Sequence, residues 1–475
     1  MRYCGFSEYF HDAGLAFVNE DGSIPFAAHS ERYSGKKFDN RLHDDLLKMI
    51  KDDDHVTFYE DHSIRQKNVA KMEFGQLGPQ HALVMLNALD YDDFITHHQS
   101  HAAAGFYTRP WESSEDTITL TVDGVGEWQT MGMYNHKMEL LKQWEHPVSL
   151  GLFYTQVTKL SGLRTLEDEF VTMGMSAYGN DVCSQEIWDF FWALKANTSR
   201  AGYRSFFSDL FSKHTKWDVS TSIQVFAERI FMHLAKECAD MGYKKLVVSG
   251  GCAQNIIAMT KIKESGLFED MHVAVAPTDA GSALGAAAWT YCKQTGNDRV
   301  KWKDAFLGHD MGCTINPKEV VAHLLKEEHC GIASGKAEFG PRALGNRSLI
   351  ADPRKDVKDT VNRIKKRQAY RPFAPAILEE FADEYFEGPM NEYMQYQAVA
   401  KHDYKSVTHH DGTARVQIVK KNSNSIFRKV IEEFYEQTGV PMLLNTSLNI
   451  RGMPMVNNHK DVTRFEEKYG TAVFV

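Results

Sequence analysis

The residues best suited to chemistry appear first at Thr96–Ala104 (THHQSHAAA), where His97 and His101 stand four positions apart. On a helix that spacing sends both imidazoles from one face, so they can close on a single ion. His98 lies about 100° further round and faces elsewhere. A solvated helix start is the plain alternative for such a pair. The run Ala102–Ala104 argues against it, because small residues let a helix lie close beneath a cleft. Asp123 and Asp279, each expected where a strand gives way to a turn, supply carboxylates for a His₂Asp₂ set. Two imidazoles and two hard carboxylates suit a divalent Fe, Mn or Zn ion, and spacing does not choose among them.

Anion chemistry is the second signal. Asp123-Gly124-Val125-Gly126, Ser249-Gly250-Gly251 and Asp279-Ala280-Gly281 each follow a strand-like run. Glycines there let backbone N–H groups approach a phosphate. Together with a His11-Asp12 turn in the first hairpin, this ordered set resembles the actin-like ATPase and sugar-kinase fold (ASKHA), in which two halves clamp a nucleotide. Further on, Glu338–Ser348 (EFGPRALGNRS) carries Arg342 and Arg347. Lys365, Lys366, Arg367 and Arg371 follow, just before Pro372-Phe373-Ala374-Pro375. Arg415 is expected on a strand, and Arg451 ends the run Asn445–Gly452 (NTSLNIRG). Charge runs usually coat a solvated surface. Here the cations alternate with Pro, Phe and Ala, and arginines bounded by apolar residues need partners. Phosphate or carbamate is a natural bidentate one, so a buried anion pocket is expected.

The elements that must position these groups read as α/β. Tyr3–Gly5 and Gly14–Asn19 form a strand–turn–strand, and Ile118–Val122, Leu246–Val248 and Val273–Ala276 are further strands. Ser222–Met241 and Ser282–Tyr291 have helical spacing. The polar stretch Thr295–Cys313 places a boundary near residue 310, giving domains 1–310 and 311–475. The second has strands at Arg415–Val419 and Pro441–Leu444 and helices at Pro317–Glu327 and Ser425–Thr438. A length of 475 residues implies at least two cores. Net charge −9 and pI ≈ 6.2 argue against coating duplex nucleic acid. Seven scattered cysteines without C-x-x-C argue against a disulfide framework and a thiolate zinc site. No apolar run approaches the ~18–20 residues of a membrane span, and Met1–Phe10 is too short and polar for a secretory segment. A soluble cytoplasmic protein is expected.

The motifs in order resemble the O-carbamoyltransferases of antibiotic and nodulation-factor biosynthesis. The matching runs are Phe10-His11-Asp12-Ala13, Glu31-Arg32-Tyr33-Ser34 with Lys37 and Asp39, His97–Ala103, Ser149–Tyr154, Met173–Gly179 and Gly250–Asn255. The most specific are Glu338–Ser348, Arg371–Pro375 and Asn445–Gly452, and together they span nearly the whole chain. The resemblance implies a two-lobed actin-like N-terminal domain, related to the threonylcarbamoyl-transferring metalloproteins of tRNA modification, and a smaller YrdC-like α/β C-terminal domain.

It also implies a chemistry. Carbamoyl phosphate and Mg-ATP would give carbamoyl adenylate in the second domain, and the carbamoyl group would pass to an acceptor hydroxyl in the first. His97, His101, Asp123 and Asp279 would hold the metal, with Fe²⁺ the first choice. Gly124, Gly126, Gly250, Gly251, Asn255 and Gly281 would contact nucleotide. Arg342, Arg347, Lys365, Arg371, Arg415, Asn445, Asn449 and Arg451 would contact carbamoyl phosphate and adenylate. His11, Asp12 and Lys37 would be catalytic, His11 as a base with a near-neutral pKa beside the acceptor hydroxyl. The acceptor would be a sugar, an antibiotic or a hydroxymethyl-pyrimidine nucleotide, and a homodimer is compatible with the family.

Two departures stand out: Phe170-Val171 where relatives often carry Gly-Lys, and Thr96 where an Asp commonly precedes the histidines. A sugar kinase would share the turns but need neither the His pair nor the C-terminal cations. A tRNA threonylcarbamoyl transferase fits the acidic charge poorly, and a non-catalytic ATP-binding module has no use for an arginine pocket.

Overall fold

The computed structural model describes residues 1–61, 63, 90–195, 200–368, 371, 373–423 and 425–475. Its first sheet is built from β1 (Arg2–Ser7), β2 (Gly14–Asn19), β3 (Phe26–His29), β4 (Asp54–Phe58) and β5 (Asp93–Phe94), in the order β3-β2-β1-β4-β5. Helix α1 (His97–Phe106) leads to a second sheet of β6 (Thr117–Gly126), β7 (Gln129–Tyr134), β8 (Leu140–Glu145), β9 (Lys245–Ser249) and β10 (Asp270–Val273). Its order, β8-β7-β6-β9-β10, repeats the first. In both, the first strand pairs antiparallel with the second and parallel with the fourth. This repetition is the two-lobed plan of the actin-like fold.

Local sequence explains the elements. β6 buries Ile118, Leu120 and Val122 together with Thr117, Thr119 and Thr121, a β-branched run covered on both faces. Helix α2 (Lys216–Asp240) buries Ile223, Phe226, Ala227, Ile230, Leu234 and Cys238, and Thr215 caps its start by accepting the Asp218 N–H. Helix α3 (Asp279–Thr295) returns from the second sheet to pack on β1 and α1. Its small residues permit the approach: a Cβ on Gly5 would lie 2.0 Å from the Ala283 carbonyl oxygen, and one on Gly285 would lie 2.0 Å from that of Ser100.

The C-terminal sheet has six strands: β12 (His329–Ala333), β14 (Arg347–Ala351), β15 (Ala374–Leu378), β16 (Gln417–Val419), β17 (Met442–Ser447) and β18 (Val473–Phe474), in the order β16-β15-β17-β14-β12-β18. Between the sheets, β11 (Phe306–Asp310) pairs antiparallel with β13 (Lys336–Glu338). The stretch Thr295–Cys313, read as a polar connector, therefore contains a strand and buries Ala305, Leu307 and Met311.

Other expectations shift. Val273–Ala276 was expected as a strand, but β10 covers Asp270–Val273. Helix α3 begins at Asp279 instead of Ser282. Asp123 does not end a strand: β6 continues to Gly126 through a register break after Val122. Arg415 lies just before β16, in the gap after Thr413–Ala414. Pro372 of the Arg371–Pro375 run lies outside the described residues.

Candidate active site

Helix α1, strand β6 and helix α3 bring one atom each of His97, His101, Asp123 and Asp279 within 4.8 Å of one another. The two Nε2 atoms are 3.2 Å apart. Asp123 Oδ2 is 3.3 Å from His97 Nε2, and Asp279 Oδ1 is 3.3 Å from His101 Nε2. Donors about 2.0–2.2 Å from a common centre have edges of this size. Asp279 Oδ2 is buried without a hydrogen-bond partner, so the donor set fits a divalent cation. The rings are held from behind: His97 Nδ1 faces Glu60 Oε1 at 3.3 Å, and His101 Nδ1 faces Ser282 Oγ at 3.0 Å. Neither Glu60 nor Ser282 was singled out in the sequence, since nothing local marks a residue that touches a ring from another element. His98 bonds instead to Thr121 Oγ1 and the Gln129 carbonyl.

Several glycines expected to face phosphate are used by the protein itself. A Cβ on Gly126 would lie 1.9 Å from the His97 ring, one on Gly250 2.4 Å from the Val122 carbonyl oxygen, and one on Gly281 1.7 Å from that of Ala276. These three make room for close packing. The Gly251 N–H donates to Asp123 Oδ1 at 2.9 Å, steering the carboxylate. Asn255 caps a helix and pairs with Gln224. Gly124 faces open space and, with Gly251 and Asn255, lines the main cavity.

That cavity, about 1000 Å³, runs across the junction. It is lined by His11, Asp12, Lys37, Asp123 and Asp279 from the N-terminal part of the chain and, making its cationic end, by Arg342, Lys365, Arg367, Arg371, Arg415, Asn445 and Asn449 from the C-terminal part, with Lys37 close enough to act on Lys365. Burial first, and then the neighbouring cations, pushes Arg342 down to about 10 and drives Lys365, Arg367 and Arg415 well below their usual ranges. Cations that disfavour one another's charge inside a cavity make an anion site. Lys365 Nζ donates to the Ser447 carbonyl at 2.5 Å and to Asn449 Oδ1. The Arg371 guanidinium lies 4.5 Å from the centre of the Phe170 ring, so the Phe170 departure packs against the cationic end. Arg367, absent from the expected contacts, is 3.6 Å above the Phe373 ring.

Two expected contacts differ. Arg451 is exposed at the cavity rim, outside the buried group. Arg347 is fully buried away from the cavity, donating to the carbonyls of Ser334, Gly335, Asn346, His309 and Asn457. It braces the loops that carry the site.

His11 also departs from expectation. Its Nδ1 is 2.9 Å from Asp12 Oδ1 and its Nε2 is 2.9 Å from the Leu166 carbonyl oxygen. Burial lowers its pKa, but the Asp12 carboxylate outweighs that and raises it to about 10. With an acceptor at each nitrogen, this conformation favours the imidazolium over the neutral base anticipated. Asp12 is fixed on its other side by Thr278 Oγ1, which donates at 2.8 Å. Lys37, half-buried, has its ammonium 4.6 Å from the centre of the Phe38 ring, and burial lowers its pKa.

A duplicated actin-like body, a His₂Asp₂ cluster and a cationic pocket on one cavity define a group-transfer enzyme. Models of the carbamoyltransferase N-terminus and C-terminus match residues 82–288 and 321–475. Nodulation protein NolNO of Sinorhizobium fredii is 32% identical, over 96% of this chain and 77% of its own length. Nodulation protein NolO of Bradyrhizobium diazoefficiens is 33% identical over 78% and 76%. An uncharacterized Synechocystis protein, sll1178, is 28% identical over 97% and 93%. The chain belongs to the carbamoyltransferase family and is an enzyme that transfers carbamoyl groups. Among the described residues, no helix is long and apolar enough to cross a membrane.

Proposed function

We propose that the enzyme is an ATP-dependent O-carbamoyltransferase acting in two steps. Carbamoyl phosphate is first hydrolysed to carbamate and phosphate. A carbamate oxygen then attacks the α-phosphorus of ATP, forming carbamoyl adenylate and releasing pyrophosphate. In the second step an acceptor hydroxyl attacks the carbonyl carbon, AMP leaves with the electron pair, and the hydroxyl proton passes to the protein. Carbamate is a poor electrophile because nitrogen and the anionic oxygen both donate into the carbonyl, and joining it to AMP supplies the leaving group.

One observation carries this reading: the cationic cluster and the His11–Asp12 pair open on the same cavity. Arg342, Lys365, Arg371 and Arg415 are assigned to the anions of the first step, neutralising charge where water is scarce. Asp12 orients the His11 ring through Nδ1, leaving Nε2 for the acceptor. In that step the acceptor hydroxyl takes the place now held by the Leu166 carbonyl, and His11 accepts its proton. A divalent ion held by His97, His101, Asp123 and Asp279 would supply Lewis acidity toward phosphate or carbonyl oxygen, with Fe²⁺ preferred.

The acceptor is assigned to small hydroxylated molecules: a sugar, an antibiotic scaffold or a hydroxymethyl-pyrimidine nucleotide. Carbamoyl-phosphate-dependent exchange of pyrophosphate into ATP, measured without acceptor, tests the first step. Its absence from intact, metal-loaded enzyme would overturn the two-step scheme.

A further inference from the structure

The peptide group of Gly340 is gripped from both sides by the first lobe. Its N–H donates to His29 Nε2 at 3.2 Å, and its carbonyl oxygen accepts from Arg32 Nη2 at 3.2 Å. These partners lie 311 and 308 positions away in sequence. Gly340 has φ +129, and a Cβ there would lie 3.0 Å from the Val275 carbonyl oxygen, so glycine is required. His29 and Arg32 are both buried, at 6% and 5% exposure. To accept from Gly340, the His29 ring must be neutral at Nε2 and carry its proton on Nδ1, which lies 3.8 Å from Asp12 Oδ2. The preceding residue, Phe339, packs its ring 5.3 Å from that of His29.

Beyond the clamp the chain turns at once into the cationic end. Arg342 follows two residues later and lines the cavity. The far side of the same loop is tied by Glu338 Oε1, which accepts the N–H groups of Leu344, Asn346 and Arg347 at 2.8, 2.9 and 3.1 Å. The loop is therefore held at its base by its own domain and at its apex by the other. A group must be fixed within about half an ångström to serve as an anion contact, and the apex is the part that carries Arg342.

We infer that His29 and Arg32 are positioning residues for the anion site: by fixing the Gly340 peptide they set Arg342 for carbamoyl phosphate, so the first half-reaction depends on residues of the N-terminal domain. This inference rests on the reading of the Arg342 cluster given above. The plain alternative is ordinary packing at a domain junction, whose loss would lower stability without touching ligand affinity selectively.

The test uses the full chain with His29→Ala, Arg32→Ala and His29→Gln. Carbamoyl phosphate binding is measured by calorimetry, amide exchange of residues 338–346 by mass spectrometry, and the melting temperature alongside. Expected are faster exchange in that segment and about tenfold weaker binding in both alanine variants. His29→Gln, whose amide oxygen can take the Gly340 N–H, should recover most of the loss. Should Arg32→Ala not fold, Arg32→Lys, which keeps the charge without the planar fork, should show intermediate weakening. Binding equal to wild type in the folded variants overturns the inference. So does a loss that follows the melting temperature and that His29→Gln leaves unrepaired. Wild-type binding without ATP–pyrophosphate exchange removes the two-step scheme but leaves the clamp standing, whereas no wild-type binding removes both.

Discussion

Ser282 Oγ stands 3.0 Å from Nδ1 of His101 across 181 positions of sequence. That single contact fixes how the ring turns, and so where Nε2 points relative to Asp279. Partners behind a ligating imidazole orient it and tune its basicity. Purified enzyme should hold one divalent ion per chain, and His101→Ala should lose both ion and transfer activity. Ser282→Ala should fold normally yet bind the ion about 10-fold more weakly. Elemental analysis and competition with a chelator measure both, and full activity after complete chelation would refute the metal assignment.

Helices α1 and α3 carry three of the four donors and touch where Gly285 faces Ser100. Gly285→Ala places a Cβ 2.0 Å from the Ser100 carbonyl oxygen, far inside contact distance. The helices must separate, at a cost of roughly 1–3 kcal/mol of stability. Because separation also spreads the donors, metal affinity should fall in the same variant. Denaturant unfolding of the chelated protein isolates the first effect, and a variant as stable as wild type would contradict this packing.

The two half-reactions should separate by mutation. Arg415→Ala or Arg371→Ala removes a charge-assisted contact worth about 1.5–3 kcal/mol, so ATP–pyrophosphate exchange should drop roughly 10- to 150-fold. His11→Ala should leave exchange running and stop transfer to an acceptor. Equal loss of both steps in all three variants would end this division of labour.

His11 supplies a pH signature. Its folded pKa is raised to about 10, above the ordinary imidazole value of about 6.5. The stabilisation from its pairing with Asp12 is therefore fully present below about pH 6.5 and is lost as pH rises through about 10. As a base, His11 must lose its proton, so transfer should accelerate with pH above neutrality while exchange follows a different profile. NMR titration of the ring gives the pKa directly, and a value below 7 would show that the Asp12 and Leu166 contacts do not hold in solution.

Much of the site was legible because the chemistry follows local spacing. His97 and His101 are one helical turn apart, and strands such as β6 and β9 announce themselves by β-branched runs. What escaped was long-range. Glu60, Ser282 and His29 act through contacts between distant segments, and no local pattern marks them; Arg32 stands in a matched run, but its partner Gly340 lies 308 positions away. Gly126, Gly250 and Gly281 looked like phosphate turns because a glycine admitting a ligand and one admitting a neighbouring side chain or backbone leave the same trace in sequence. Arg347 failed for a related reason: an arginine bounded by apolar residues needs partners, and five backbone carbonyls satisfy it as well as an anion would. Arg451 shared a motif with cavity residues, but its place in an exposed turn put it at the rim.

The repeated strand order has a mechanical consequence. Asp123 belongs to the second sheet, while α3, which carries Asp279, lies against the first. An ion shared by these residues would act as a rivet through both jaws of the two-lobed body. Riveted there, the jaws could not gape without breaking coordination.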